Sequence, residues 1–191
     1  MAAKTRFSTS DVQCMVRDLR STLLGSRVAN VFDASANDKT YLLKFSGGSG
    51  STEKLFLLLE SGVRFHTTKY ARDRPSEMPT PFVMKLRRHI RTKRLESITQ
   101  INGDRLVDFR FGSGDSTFHL ILELYSNGNI VLCDGNLEVL ALLRSHTFEE
   151  DVAIKVGEIY PVAFATDGSA TAAAAGDNMH NDLADLTNHS S

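Results

Sequence analysis

The chain of 191 residues has no tryptophan, only four prolines and only two cysteines. Cys14 and Cys133 lie in helix-like and strand-like segments far apart in sequence, and neither has a cysteine or histidine pair nearby. That rules out a cysteine-rich disulfide scaffold or a zinc-finger spacing, while a single disulfide between them stays open. A reduced setting, cytoplasmic or also nuclear, is the simplest account of so little cysteine. The longest apolar runs, Leu55–Leu59 and Val139–Leu143, are far short of the roughly 20 residues a membrane-spanning helix needs. The opening Met1-Ala2-Ala3-Lys4-Thr5-Arg6 leads into polar residues and does not read as a secretory signal. Six scattered histidines give no metal spacing, no glycine-rich loop is followed by Lys-Ser/Thr, and no Gly-x-Ser-x-Gly elbow occurs. Glu60 and Glu123 close apolar strands, where a solvated or salt-bridged carboxylate is the ordinary case. Nothing here argues for catalysis, a cofactor or a metal.

What is present is enough for one domain. A hydrophobic fraction of 41% supports a core. The net charge of −1 hides an asymmetry. Residues 149–191 hold eight acids and one base, net −7, so residues 1–148 hold 21 bases and 15 acids, net +6. A basic folded part points toward an anionic partner, and an acidic end more often solvates than binds.

Ser10 followed by Gln13 fits a capping box, with Asp11 in the first turn. Val12, Met15, Val16, Leu19 and Leu23 recur at helical spacing up to Gly25, so residues 11–24 are expected to be a helix. Strand-like runs follow at Val28–Asp33, Thr40–Ser46, Glu53–Ser61 and Val63–Lys69, separated by Asn-Asp and glycine-rich turn signals, then a polar loop Tyr70–Pro79. Thr80-Pro81 starts a second helix, expected to reach Arg94, with Phe82, Leu86 and Ile90 inward and Val83 extending that face. A second strand series comprises Leu95–Asn102, Leu106–Phe111, Thr117–Tyr125, Asn129–Asp134 and Glu138–Ser145. The expected fold is α+β: an antiparallel sandwich or partly closed barrel of about nine strands with two packed helices. Residues 1–162 form the domain. Residues 163–191, rich in Ala, Ser, Asn and Asp, read as an acidic low-complexity tail without fixed structure.

Two features carry functional content. The second helix is expected to display Lys85, Arg87, Arg88, Arg91, Lys93 and Arg94 with no acid among them, either a solvated surface or a polyanion face. Beyond it, Ile101-Asn102-Gly103-Asp104-Arg105-Leu106 reads as a hairpin turn presenting an acid–base pair. On residue types alone Asp104–Arg105 is a local surface ion pair of small energy. Alternatively it is a polar reader at the edge of the basic face, Arg105 forking onto a phosphate or base edge and Asp104 orienting it.

Several segments together resemble one family. They are Arg6-Phe7-Ser8 with Asp11-Val12; Arg27 to Asp33; Glu60-Ser61-Gly62-Val63-Arg64-Phe65-His66-Thr67; Pro81 to Ile90; Gly103-Asp104-Arg105; and Leu122-Glu123-Leu124-Tyr125 with Gly128 to Leu132. In order and spacing they are similar to the N-terminal NFACT domain of the ribosome quality-control proteins. That family includes nuclear export mediator factor NEMF, its yeast counterpart and bacterial RqcH, formerly described as fibronectin-binding proteins. The resemblance covers roughly residues 4–162. It implies binding of tRNA and of the large ribosomal subunit carrying stalled peptidyl-tRNA, support of mRNA-independent alanine or threonine tailing, and stabilisation of the E3 ligase Listerin on the subunit. It assigns importance in tailing to Asp11, Asp104 and Arg105; the basic residues Lys85, Arg87, Arg88, Arg91 and Arg94, read from their charge and not from the resemblance, are expected to add salt-dependent phosphate contacts to the same tRNA. It implies a fold like the N-terminal domain of formamidopyrimidine-DNA glycosylases; their N-terminal catalytic residue is replaced here by Ala2-Ala3, so that chemistry is not carried over. Family proteins continue into helix-hairpin-helix, coiled-coil and NFACT-R regions. The expectation is therefore a fragment, a truncated product or a short paralogue, with Listerin contacts made through regions outside the chain. A protein-interaction module with a basic face and no ribosome role is the competing expectation.

Overall fold

The structure is a computed structural model that describes residues 5–34, 39–46, 55–69, 78–125, 127–147 and 153–162. Helix α1 spans Thr9–Leu23 and is followed by β1 (Arg27–Asp33), β2 (Thr40–Ser46), β3 (Leu55–Glu60) and β4 (Arg64–Thr68). Helix α2 (Pro81–Ile90) leads into β5 (Leu95–Gln100), β6 (Leu106–Phe111), β7 (Phe118–Glu123), β8 (Asn129–Asp134) and β9 (Val139–Leu142). The first four strands form one antiparallel meander and the next five another. Two short strands, β10 (His146–Thr147) and β11 (Ala153–Ile154), pair with each other and were not foreseen in the sequence. The tail beyond residue 162, the glycine-rich segment after Ser46 and most of the Tyr70–Pro79 loop lie outside the described residues.

The chain thus runs twice through a helix followed by an antiparallel meander. Both sheets and both helices contribute to one apolar core. Phe65 of β4 meets Phe109 of β6 edge-on at 5.9 Å between centroids, across the two sheets. Helix α1 packs on β4, β5 and β6, and α2 on β1 and β9, so each helix touches both sheets. The fold is α+β, as expected, but neither sheet closes. The four-stranded sheet ends at β1 and β4, and the five-stranded one at β5 and β9. The partly closed barrel is therefore not what forms. The two sheets meet through the isolated bridge Arg27–Arg94 and its neighbours, with Leu95 N–H donating to the Ser26 carbonyl at 2.9 Å.

The ends of both helices differ from the sequence reading. The N-cap of α1 is Ser8, not Ser10. Its hydroxyl accepts from Asp11 N–H, and Asp11 returns a carboxylate to Ser8, so Asp11 is the reciprocal half of the capping box. Gly25 ends the helix at φ +82, as its position predicts. Helix α2 starts at the expected Thr80 cap, whose backbone and hydroxyl also donate to Asp33 at the end of β1. It stops at Ile90, four residues early. Arg91 is extended, Thr92 takes φ +68, and Thr92 N–H donates to the Val28 carbonyl at the β1 entry. Ile90 and Leu95 are both fully buried. Seating them both requires the chain to leave the helix between them, and this overrides helical propensity. Val83, Leu86 and Ile90 form the buried stripe of α2. Phe82 is half-buried against Tyr41, with centroids 5.3 Å apart.

Candidate nucleic-acid interface

The turn between β5 and β6 has the geometry its sequence predicts. Asn102 and Gly103 both sit at positive φ, +48 and +70, and Asp104 N–H donates to the Ile101 carbonyl at 2.9 Å. Asn-Gly suits this turn because both central residues need the left-handed region. Asp104 and Arg105 are half-buried rather than fully displayed. The Asp104 carboxylate accepts the backbone N–H of Arg105 at 2.6 Å, so it fixes the turn instead of pairing with the guanidinium. The Arg105 carbonyl accepts from Leu124 N–H at 2.9 Å, which docks the turn on the end of β7. The Arg105 guanidinium makes no hydrogen bond or ion pair among the described residues.

A residue absent from the sequence reading joins this turn to α1. The Gln100 side-chain amide donates to the Asp104 carbonyl at 2.8 Å and to the Thr9 carbonyl at 3.2 Å. It ties the first helical residue of α1, two positions before Asp11, to the turn that carries Asp104 and Arg105. Arg20 holds the same helix onto β5 through the Ile98 carbonyl at 2.7 Å. The first turn of α1, whose Asp11 carboxylate is held by Ser8, and the turn of Asp104 and Arg105 are thereby linked in one neighbourhood through the Thr9 and Asp104 carbonyls. Nothing in the pattern around Gln100 marks it, because a strand-end glutamine looks like ordinary surface.

The basic residues do not join that neighbourhood. They precede β5 while Asp104 follows it, and six extended residues separate the two ends by about 20 Å. Nor do they share one helical face. Lys85, Arg87 and Arg88 are on α2, whereas Arg91 is its C-cap and Lys93 and Arg94 belong to the β1 crossing. Lys85, Arg88, Arg91 and Arg94 are exposed. Arg87 is half-buried, its Nε donating to the Val31 carbonyl at 2.8 Å and its guanidinium 5.7 Å over the Phe32 ring, which makes it part of the packing. Lys93 lies over Phe118, and Arg94 stands 4.0 Å from Glu96. His89 is held below its usual pKa by burial first, then by Arg88 and Lys85, which keeps it from adding to the positive field.

Behind the turn lies a polar cluster that the sequence did not announce. Glu60 behaves as an ordinary strand end, paired with Arg64 at 2.9 Å. Glu123 does not: it is 2% exposed and accepts from the Tyr160 hydroxyl at 2.9 Å. Burial pushes its carboxyl up to about 7, against the opposing pull of the Tyr160 and Tyr125 hydroxyls and Arg144. Burial and the Glu123 charge push both tyrosines well above the usual phenol range. The Tyr125 hydroxyl is buried with no partner of good geometry among the described residues. Arg144 donates to the Asn127 carbonyl at 2.6 Å, while Asn129 grips the Arg144 backbone at both ends. The Glu123 carbonyl accepts Gly62 N–H from the β3–β4 turn at 3.0 Å. Residues 123–125 are thus the junction of three turns.

Comparison with known proteins places this architecture. The profile described as NFACT N-terminal and middle domains matches residues 8–169. This chain belongs to the NFACT family. It is 48% identical over 160 residues to the ribosome quality control complex subunit NEMF homolog of Drosophila melanogaster, covering 83% of this chain and 16% of that protein. The human subunit NEMF is 45% identical over 160 residues, 83% and 14% of the two chains. Ribosome quality control complex subunit 2 of Saccharomyces cerevisiae is 36% identical over 159 residues, 82% and 14%. The chain therefore spans only about one seventh of the length of these curated relatives. Among solved structures, the N-terminal domain of fibronectin-binding protein PavA from Streptococcus pneumoniae superimposes with a TM-score of 0.69 at 23% identity, over 81% of this chain and 63% of that one. The corresponding region of the Streptococcus suis fibronectin/fibrinogen-binding protein gives 0.69 at 21%, over 81% and 60%. These likenesses establish the NFACT N-terminal fold. The glycosylase likeness expected from the sequence finds no support in them.

Proposed function

We propose that this NFACT domain is a tRNA-binding, non-enzymatic part of a cytoplasmic ribosome quality-control factor. In this reading Asp11, Asp104 and Arg105 engage tRNA on a large ribosomal subunit that carries stalled peptidyl-tRNA. The domain supports mRNA-independent alanine or threonine tailing, and contact with Listerin falls to regions outside this chain. The names of the relatives support the ribosomal setting. The observation that carries the site is the Gln100 bridge, which gathers the start of α1 and the Asp104–Arg105 turn. That turn uses Asp104 on its own backbone and leaves the Arg105 fork available for a phosphate or a base edge. The exposed Lys85, Arg88, Arg91 and Arg94 serve as a separate, salt-sensitive backbone contact at the far end of β5.

The test is tRNA binding by the full chain, wild type against Asp104→Ala/Arg105→Ala, across a salt series with circular dichroism as the folding check. The expected result is loss of about tenfold in affinity with the salt slope reduced by no more than about one, the share of a single phosphate. Equal binding by both folded proteins would reduce the pair to turn structure.

A further inference from the structure

We propose that Tyr160 and Glu123 form a latch that positions the Asp104–Arg105 turn, making both of them positioning residues for tRNA recognition. The proposal rests on the tRNA-binding reading above and adds residues that do not touch the RNA. Among the described residues, the turn has one backbone tether to the five-stranded sheet outside its own hairpin, the bond from Leu124 N–H to the Arg105 carbonyl that extends the β6–β7 ladder by one step past Leu106 and Glu123. That N–H belongs to the peptide that Glu123 begins, so the orientation of Glu123 sets the direction of the tether. Besides its places opposite Leu106 on β6 and Asn129 on β8, where the β7 ladder ends, two contacts hold Glu123: Tyr160 O–H donates to its Oε1 at 2.9 Å, and its own carbonyl accepts from Gly62. Tyr160 in turn is held in place by its backbone, N–H to the Leu137 carbonyl at 2.8 Å, and by a ring that is 1% exposed.

The groups around this carboxyl are Tyr160 from the C-terminal segment, Tyr125 beyond β7, Arg144 beyond β9 and, acting on Tyr125, Asp104 from the turn itself. A buried carboxyl with a single well-formed side-chain donor is a destabilising arrangement if stability were its only role. Its location under the Leu124–Arg105 tether of the turn supplies a reason for it. If the latch opens, the carbonyl of Arg105 loses its fixed partner and the guanidinium loses its aim.

Amide hydrogen exchange at Leu124, followed by NMR in the full chain, reads the latch directly. Tyr160→Phe keeps the ring and removes only the donated hydrogen bond. The expected result is at least tenfold faster exchange at Leu124, with Leu120 and Val107 unchanged. Glu123→Gln keeps an acceptor for Tyr160 and is expected to retain most of the protection, while Glu123→Leu is expected to behave as Tyr160→Phe does. The second reading is binding to unfractionated tRNA: Tyr160→Phe is expected to weaken it about fivefold in the wild-type background and not at all in an Arg105→Ala background. Unchanged Leu124 exchange in Tyr160→Phe overturns the latch whatever the tRNA does. Faster exchange together with wild-type tRNA affinity in Tyr160→Phe, where Arg105→Ala does weaken binding, overturns the positioning role. Faster exchange with binding indifferent to Arg105 supports the latch and overturns the tRNA reading of the site instead.

Discussion

Glu123 holds its proton more tightly in the folded chain than in the unfolded one, from about 4.5 to about 7, because burial disfavours the carboxylate. Its contribution to stability is therefore fully present below pH 4.5 and is lost as pH rises through 7. The difference corresponds to about 3 kcal/mol. Glutamine has nearly the same shape and cannot titrate. In urea unfolding from pH 4.5 to 8, wild type is expected to lose about 3 kcal/mol relative to Glu123→Gln across that range, with other titrating groups cancelling in the comparison. Parallel profiles would show that Glu123 is solvated in solution. The sequence could not reveal this residue. A glutamate closing an apolar strand has the same pattern whether it faces water, as Glu60 does beside Arg64, or is covered by a tyrosine 37 positions later. Asp104 and Arg105 were legible because the Asn-Gly turn announces itself locally. That Asp104 serves the backbone instead of the guanidinium was not legible, since both uses need the same residue types.

The elements were legible where a local pattern and the core agree. Strands β2, β6 and β8 have the bounds their turn residues predict, and Thr80-Pro81 starts α2. The end of α2 was not legible: basic residues continue the helical composition, and it is the burial of both Ile90 and Leu95 and the pairing of residues 92–95 with residues 25–28 that break it. This splits the basic set, so under the proposed tRNA-binding role its members would contribute additively and not as one face. Arg88→Ala/Arg91→Ala is expected to lower the slope of log affinity against log salt by up to about 1.4–1.8, at roughly 0.7–0.9 for each phosphate no longer neutralised, without altering the Arg105-dependent component. An unchanged slope would remove these residues from the interface. The turns make a sharper contrast. A Cβ on Gly128 would lie 1.9 Å from the Gly62 nitrogen, whereas one on Gly103 would meet nothing within 4 Å, although both sit near φ +70. Gly103→Ala is expected to cost about 1–2 kcal/mol from backbone strain alone. Gly128→Ala is expected to exceed it by at least about 2 kcal/mol, because the two sheets' turns must separate. Equal melting temperatures for the two variants would mean that this close approach is absent in solution.

The whole molecule is a sandwich with a covered back. Behind the five-stranded sheet, Leu106, Ile121, Val131, Cys133 and Val139 form a second apolar cluster, closed by Ile154 and Tyr160 of the C-terminal segment. That cover escaped the sequence reading because two-residue strands and a lone tyrosine leave no periodicity. The two cysteines report on it. Cys14 is exposed on α1, while Cys133 is fully buried and its thiol is pushed up to about 12, chiefly by burial. An aromatic disulfide reagent such as DTNB is therefore expected to modify one thiol quickly and the other only through opening of the cover. Ile154→Ala removes a fully buried side chain from the cover and is expected to cost about 2–5 kcal/mol. If the C-terminal segment opens as a unit, that loss appears in full at Cys133, whose modification accelerates by at least about 30-fold, a factor of ten for each 1.4 kcal/mol. Exchange at Val12 and Leu43 in the main core then stays at its wild-type rate. Acceleration of Cys133 and of the main core by the same factor would instead mean that cover and core unfold together.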